Sequence, residues 1–151
     1  MNLSILKAFL ECPAVGRAGQ SLFADAQIWD ADGGRYRDEY ACYPVISLDF
    51  SGAARRGAAV ADVVRDALSG ECARLLPLLE APDLARDKVR HIERVARGVA
   101  SEAEVASVLG VLIELLEMAC DEQVVLLVDG YDAAWLGRVS ARGASLSLIH
   151  I

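Results

Sequence analysis

Apolar positions follow a helical period over most of the chain. Spacings of three and four residues predict helices at Leu3–Leu10, Ser21–Trp29, Val60–Leu79 and Leu84–Val99, and from Ser101 to about Cys120. Ser101 is expected to cap the last helix, since Glu104 follows at the spacing of a capping box. Ser69-Gly70 marks a candidate break in the Val60–Leu79 helix, and Asp32-Gly33-Gly34 predicts a loop.

Two short apolar runs predict β-strands between these helices. Tyr43–Phe50 is β-branched and apolar, and Pro44 is acceptable at its start. Val124–Asp129 is the clearest strand, because five consecutive apolar residues precede the aspartate. Such a run predicts burial on both faces, which is typical of a central parallel strand. Strands separated by long helical stretches indicate one domain with an α/β layered fold.

Composition narrows the classes of function. The net charge of -7 and the pI of about 4.8 argue against direct nucleic-acid binding by this segment. No run of eighteen apolar residues and no signal-peptide pattern occur, so no membrane partner is expected. Four cysteines without metal-site spacing, with only two histidines, exclude the usual zinc motifs. Reduced thiols in a cytoplasmic protein are the expectation.

The candidate chemistry lies at the end of the second strand. An apolar strand followed by Asp129 is a Walker B pattern, in which a carboxylate at the carboxyl edge of a sheet holds magnesium beside nucleotide phosphates. Asp49 ends the other strand and either approaches the same site or caps the turn that follows. The pattern needs a glycine-rich phosphate loop, and the chain contains no Gly-Lys pair. Either the Walker B interpretation is wrong, or the loop lies upstream of Met1.

Four segments in order carry a resemblance to a known family. They are Met1–Glu11, Ser21–Trp29, Tyr43–Ser51 and Val124–Asp132. They resemble the helix after the phosphate loop, the next helix, the next strand and the Walker B segment of the bacterial AAA-ATPase-like family. The resemblance implies a P-loop NTPase-like parallel sheet flanked by helices, truncated at both ends. It also implies Mg-ATP binding in a full-length parent, often joined to a PD-(D/E)XK-type nuclease domain in the same chain.

The resemblance assigns roles to individual residues. Asp129 matches the magnesium-handling aspartate, and Asp132 matches the last Asp of the family's Asp-Glu-Tyr-Asp motif, near the nucleotide. Gly130 departs from the pattern, because the family has a glutamate there that orients and deprotonates the attacking water. No catalytic residue is therefore expected. The fragment alone is expected to bind nucleotide poorly and to have no ATPase activity.

The resemblance also sets the domain boundaries. Residues 1–144 are expected to be a partial AAA-ATPase-like domain that starts just after the missing Walker A loop. Residues 145–151 are expected to be a non-native tail, since Leu146–Ile151 looks like a translated sequencing adapter; a short apolar C-terminal strand is the other interpretation. The rival function is a non-catalytic α/β protein-interaction module in which Asp129 is structural. A nuclease finds no support in this segment.

Overall fold

The structure, a computed structural model, describes residues 3–12, 23–51 and 59–130. Its helices are α1 (Leu3–Leu10), α2 (Gln27–Asp30), α3 (Val60–Leu75), α4 (Arg86–Ala96) and α5 (Glu102–Cys120), and its strands are β1 (Val45–Asp49) and β2 (Val125–Asp129). Short 3-10 segments cover Ala31–Glu39 and Leu76–Leu79. None of the helices in these ranges has the length and apolar character needed to span a bilayer.

The two strands form a parallel pair, which confirms the α/β expectation in its coarse form. Val45 pairs with Val125, and the register runs in step to Asp49 and Asp129. In the described part of the chain the sheet has only these two strands. A single parallel bridge between Glu11 and Tyr43 adds the residue after α1 to the other side of β1.

Three helices cover one face of the sheet. Ile46 and Leu48 of β1 lie in the main hydrophobic cluster with residues of α3, α4 and α5, among them Leu75, Ile92 and Leu115. Burial of these side chains, each worth about 1.5–3 kcal/mol, is the main force holding the helices on the sheet. Phe9, Val45 and Leu127 are buried outside that cluster, and α1 contacts both strands.

The helix boundaries lie within a few residues of the predicted ones: α3 ends at Leu75 instead of Leu79, and α4 covers Arg86–Ala96 instead of Leu84–Val99. The Ser101 hydroxyl accepts from the Glu104 N–H and the Glu104 carboxylate accepts from the Ser101 N–H, so the capping box is confirmed. The predicted break at Ser69-Gly70 is wrong, because the Ser69 hydroxyl donates to the Ala96 carbonyl and ties α3 to α4 without interrupting it. Of the predicted Ser21–Trp29 helix, residues 21 and 22 lie outside the described residues, and within 23–29 the only helical residues are those of the single turn α2.

The segment from Phe23 to Tyr40 packs on α1 through its aromatic rings. Phe9 makes edge-on contacts with Phe23 and Tyr40, and Tyr40 makes a further one with Trp29. The Arg37 guanidinium lies 5.7 Å from the centre of the Trp29 ring. The expected loop at residues 32–34 is present as three successive residues with positive φ inside the 3-10 segment.

The face of β2 that carries Leu126 and Val128 is exposed, which contradicts the predicted burial on both faces. Leu126 is 40% and Val128 37% exposed, whereas Leu127 on the opposite face is 8% exposed. The helices that bury Ile46 and Leu48 stop short of the neighbouring positions on β2. The burial of a strand depends on which elements pack against it. Five consecutive apolar residues do not show whether such an element is present.

The outer edge of β1 is closed by side chains of α3. Arg74 donates to the Val45 carbonyl at 2.6 Å, and Glu71 accepts from the Ser47 N–H at 2.9 Å. Arg74 also pairs with Glu71 at 2.7 Å and with Glu11 at 2.5 Å. Burial lowers the pKa of Arg74, but its bonds to Glu71 and then Glu11 outweigh burial and raise that pKa overall. These hydrogen bonds occupy the Val45 carbonyl and the Ser47 N–H, which a further strand would need for pairing. No further strand can therefore pair with β1 at these positions.

Candidate functional site

The carboxyl end of the sheet brings two aspartates together. Asp49 and Asp129 are register partners, so their Cα atoms lie side by side and their side chains leave the same face of the sheet. Both side chains are exposed. The Asp49 carboxylate accepts from the Ser51 N–H at 2.8 Å, and the Asp129 carboxylate accepts from the Gly130 N–H at 2.8 Å. Each aspartate is therefore oriented by the turn that follows its own strand.

The pairing of Asp49 with Asp129 is the part of the site that the sequence left open. The structure places Asp49 beside Asp129, and the Asp49 carboxylate also accepts a hydrogen bond from the turn that follows β1. The sequence does not show the register between two strands that lie far apart along the chain. It shows only that each of the two apolar runs ends in an aspartate. Asp132 lies outside the described residues.

Gly130 closes the turn after β2 in a conformation that suits glycine. Its φ is +64°, a left-handed value that side chains rarely adopt. A Cβ built at this position would lie 2.7 Å from the Ser51 Cα and closer still to the Ser51 backbone nitrogen. The Phe50 N–H also donates to the Asp129 carbonyl at 2.9 Å, which draws the two strand ends together. Close backbone packing therefore excludes any side chain at position 130 in this geometry.

The first helix is anchored at the opposite end of the sheet. The Leu10 carbonyl accepts from the Tyr43 N–H at 2.9 Å, and the Phe9 carbonyl accepts from the Ala41 N–H at 2.8 Å, so the carboxyl end of α1 lies at the amino end of β1. α1 also contacts both strands of the sheet.

The donor chemistry fits a magnesium ion bound with help from another ligand. In the described ranges, no group of three or more His, Cys, Asp or Glu side chains is arranged to hold a metal ion. Magnesium commonly takes only one or two carboxylates from the protein and completes its shell with water and substrate phosphate. The carboxylate oxygens of Asp49 and Asp129 suit that role. A cation held there would also relieve the repulsion between two neighbouring carboxylates.

Other perturbed or concave parts of the molecule lie away from this end. The hydrogen bond to Glu39 raises the pKa of Tyr43 to about 12, at the amino end of β1. A surface depression of about 300 Å³ lies between the segment from Leu79 to Leu84 and α4, and its lining includes neither Asp49 nor Asp129. The carboxyl end of the sheet therefore remains the candidate site on the grounds of geometry and donor type.

Comparison with known proteins identifies a family. The family model described as a predicted AAA-ATPase, AAA-ATPase-like, matches residues 1–150, which is nearly the whole chain. Neither the comparison with curated proteins nor that with solved structures finds a match. A match of this extent agrees with the resemblance carried by the four sequence segments. The chain belongs to the AAA-ATPase-like family.

Proposed function

We propose that this chain is part of a magnesium-nucleotide-binding domain that holds Mg-ATP without hydrolysing it. The observation that carries the proposal is the side-by-side position of Asp49 and Asp129 at the carboxyl end of a parallel pair. In open α/β sheets, ligands bind at this end of the strands. The family membership supports ATP as the nucleotide.

Asp129 is the proposed magnesium residue, acting through coordinated water. Its carboxylate is oriented by the Gly130 N–H, and Asp49 supplies a second carboxylate beside it. When bound, magnesium supplies charge neutralisation for the nucleotide phosphates. The protein residues contribute position and negative charge. Asp132 is proposed to lie near the nucleotide, as in the family's motif.

Hydrolysis is proposed to be absent because no side chain at position 130 can act on water. A general base must reach the proton that it removes, and glycine has no such group. The tight contact between position 130 and the Ser51 backbone gives this glycine a structural reason.

The phosphate-binding loop is proposed to belong to a longer parent protein. The chain has no Gly-Lys pair, and the apolar face of β2 at Leu126 and Val128 is exposed in the described part of the structure. The first observation suits a phosphate loop that lies elsewhere in the parent, and the second suits a further element of the parent that packs over this face of β2. We further propose a cytoplasmic parent, with a nuclease domain as a partner in the same chain.

The first experiment reads the coding DNA upstream of Met1. An in-frame Gly-x-x-x-x-Gly-Lys-Ser/Thr segment supports the proposal, whereas an in-frame stop codon close to Met1 supports the interaction-module alternative. With the upstream segment restored, binding of a fluorescent ATP analogue is measured with and without magnesium. Asp129→Asn is expected to weaken the magnesium-dependent affinity by about tenfold or more, a loss typical of disturbed metal sites.

A matched control separates the site from a general effect of charge. Asp66→Asn removes the same charge from an exposed position on α3, and it is expected to leave affinity unchanged. If the wild type and Asp129→Asn bind the ATP analogue with equal affinity in the presence of magnesium, Asp129 is not part of the nucleotide site. Steady release of inorganic phosphate by the restored protein, above the level of the Asp129→Asn variant, would contradict the absence of hydrolysis.

A further inference from the structure

The segment from Arg86 to Arg97 carries five lysine or arginine residues, and three of them have an acidic partner in the described part of the chain. These ion pairs are Lys88–Glu114, Arg94–Glu104 and Arg97–Glu93. The side chains of Arg86 and Arg90 form no ion pair or hydrogen bond with any of the described residues. Two arginines of α4 are therefore left with their charge unpaired.

Both unpaired arginines line the depression of about 300 Å³ beside α4. They lie four positions apart on one face of the helix, where Cβ atoms are separated by about 5–6 Å. The same depression is lined by the buried side chains of Leu79 and Leu84 and by the half-buried Val89. It therefore combines an apolar surface with two neighbouring guanidinium groups.

Hydrogen bonds to α5 hold α4 in place. The Lys88 ammonium donates to the Glu114 carboxylate, and the His91 ring contacts the Glu104 carbonyl at 2.8 Å. Ile92 of the same helix is fully buried in the core. The backbone that carries the two arginines is thus fixed before any ligand arrives, which lowers the entropic cost of binding.

We propose that this depression binds a segment of a partner protein that carries a carboxylate beside an apolar side chain. The carboxylate binds between Arg86 and Arg90, because guanidinium groups recognise carboxylates through paired, charge-assisted hydrogen bonds. The apolar side chain packs on Leu79, Leu84 and Val89, and the rest of the partner covers the rim and excludes water.

The shape and charge of the depression favour a protein segment over other anions. Sites for small molecules enclose most of the ligand, whereas the rim residues Glu80, Ala81 and Pro82 are exposed here. Glu80 and Glu93 line the same depression and the chain has a net charge of -7, so a polyanion such as nucleic acid is repelled. The inference does not depend on nucleotide binding, since neither Asp49 nor Asp129 takes part.

The test is a titration of the whole, isotope-labelled chain with a blocked Leu-Asp-Leu tripeptide, followed by nuclear magnetic resonance. Saturable shifts are expected in the amide signals of residues 79–93. A blocked Leu-Asn-Leu tripeptide has the same shape without the charge, and it is expected to bind about fivefold more weakly. Inorganic phosphate is titrated separately to measure binding of an anion that has no apolar part.

Matched variants locate the charge recognition. Arg86→Gln and Arg90→Gln are each expected to reduce the preference for the Asp peptide, whereas Lys88→Gln removes a charge from the same helix outside the depression and is expected to retain it. Four outcomes overturn the proposal: no saturable shift with the Asp peptide, equal affinity for the two peptides, equally tight binding of phosphate, or an equal loss of preference in Lys88→Gln. The comparison of the peptides on the wild type decides even if a variant folds poorly.

Discussion

Replacing Gly130 by alanine tests whether the turn after β2 is packed as tightly as the structure indicates. Two costs combine in Gly130→Ala. A left-handed φ costs a non-glycine residue about 1–2 kcal/mol. The added methyl group also meets the Ser51 backbone at 2.7 Å or less, and overpacking of this kind costs about 1–3 kcal/mol. The bond from the Phe50 N–H to the Asp129 carbonyl lies at the same place and is expected to lengthen.

Gly98 offers a control that carries the first cost without the second. Its φ is +69°, nearly that of Gly130, but an added Cβ would meet nothing within 4 Å. Gly98→Ala is therefore expected to lower the free energy of unfolding only through the left-handed backbone conformation. Part of that loss is offset because alanine reduces the conformational entropy of the unfolded chain. The difference between the two variants isolates the clash, and it is expected to be about 1–3 kcal/mol.

Urea denaturation followed by circular dichroism measures the free energy of unfolding of both variants and of the wild type. Gly130→Ala is expected to be clearly less stable than Gly98→Ala, with a melting temperature lower by about 2–4 °C for each kcal/mol of difference. Equal stabilities would mean that position 130 has room for a side chain. In that case the structural reason given for glycine fails, and Gly130→Glu becomes a realistic route to an ATPase.

The other predictions concern the edge of the sheet, a helix cap and the exposed strand. Arg74→Met keeps an apolar stem but leaves a strand carbonyl and two carboxylates without their donor. We expect the free energy of unfolding, measured in urea, to fall by about 2–3 kcal/mol, between the values for exposed and fully buried pairs. The hydrogen bond from Arg94, followed by those from Ser101, lowers the pKa of Glu104 from 4.5 to about 2. Because the pKa of Glu104 is lower in the folded protein than in the unfolded chain, its ionised form stabilises the fold at pH values above 4.5. The difference in free energy of unfolding between wild type and Glu104→Gln should therefore narrow as the pH falls from 4.5 towards 2. Leu126→Lys with Val128→Lys should reduce the aggregated fraction in light scattering without changing the circular dichroism spectrum; an unchanged fraction would mean that this face is not adhesive.

The features that the sequence predicted well depend on near neighbours. The limits of α1, the end of α5 at Cys120 and the capping box at Ser101 follow from patterns only a few residues long. The strand ending at Asp129 was also predictable, because few structures other than a strand suit five apolar residues before a turn.

The features that the sequence did not predict join distant parts of the chain. Arg74 meets Glu11 across 63 positions, and no local pattern signals that pairing. The exposure of Leu126 depends on which element covers β2, and the amino-acid sequence of the strand does not specify that element. The pairing of Asp49 with Asp129 requires the strand register, which the two isolated apolar runs do not fix.

The orientation of the Asp129 carboxylate and the absence of a side chain at position 130 both depend on the turn that follows β2. The Gly130 N–H orients the Asp129 carboxylate, and the contact of Gly130 with the Ser51 backbone brings the end of β2 against the end of β1. A glutamate at position 130 would have to push Ser51 away. The Asp129 carbonyl accepts a hydrogen bond from the neighbouring Phe50 N–H, and the Asp129 carboxylate accepts one from the Gly130 N–H. Gaining a general base by that one substitution would therefore disturb the carboxylate proposed to hold magnesium. Under the proposed function, a general base at position 130 would therefore require a rebuilt turn, with changes on both strands.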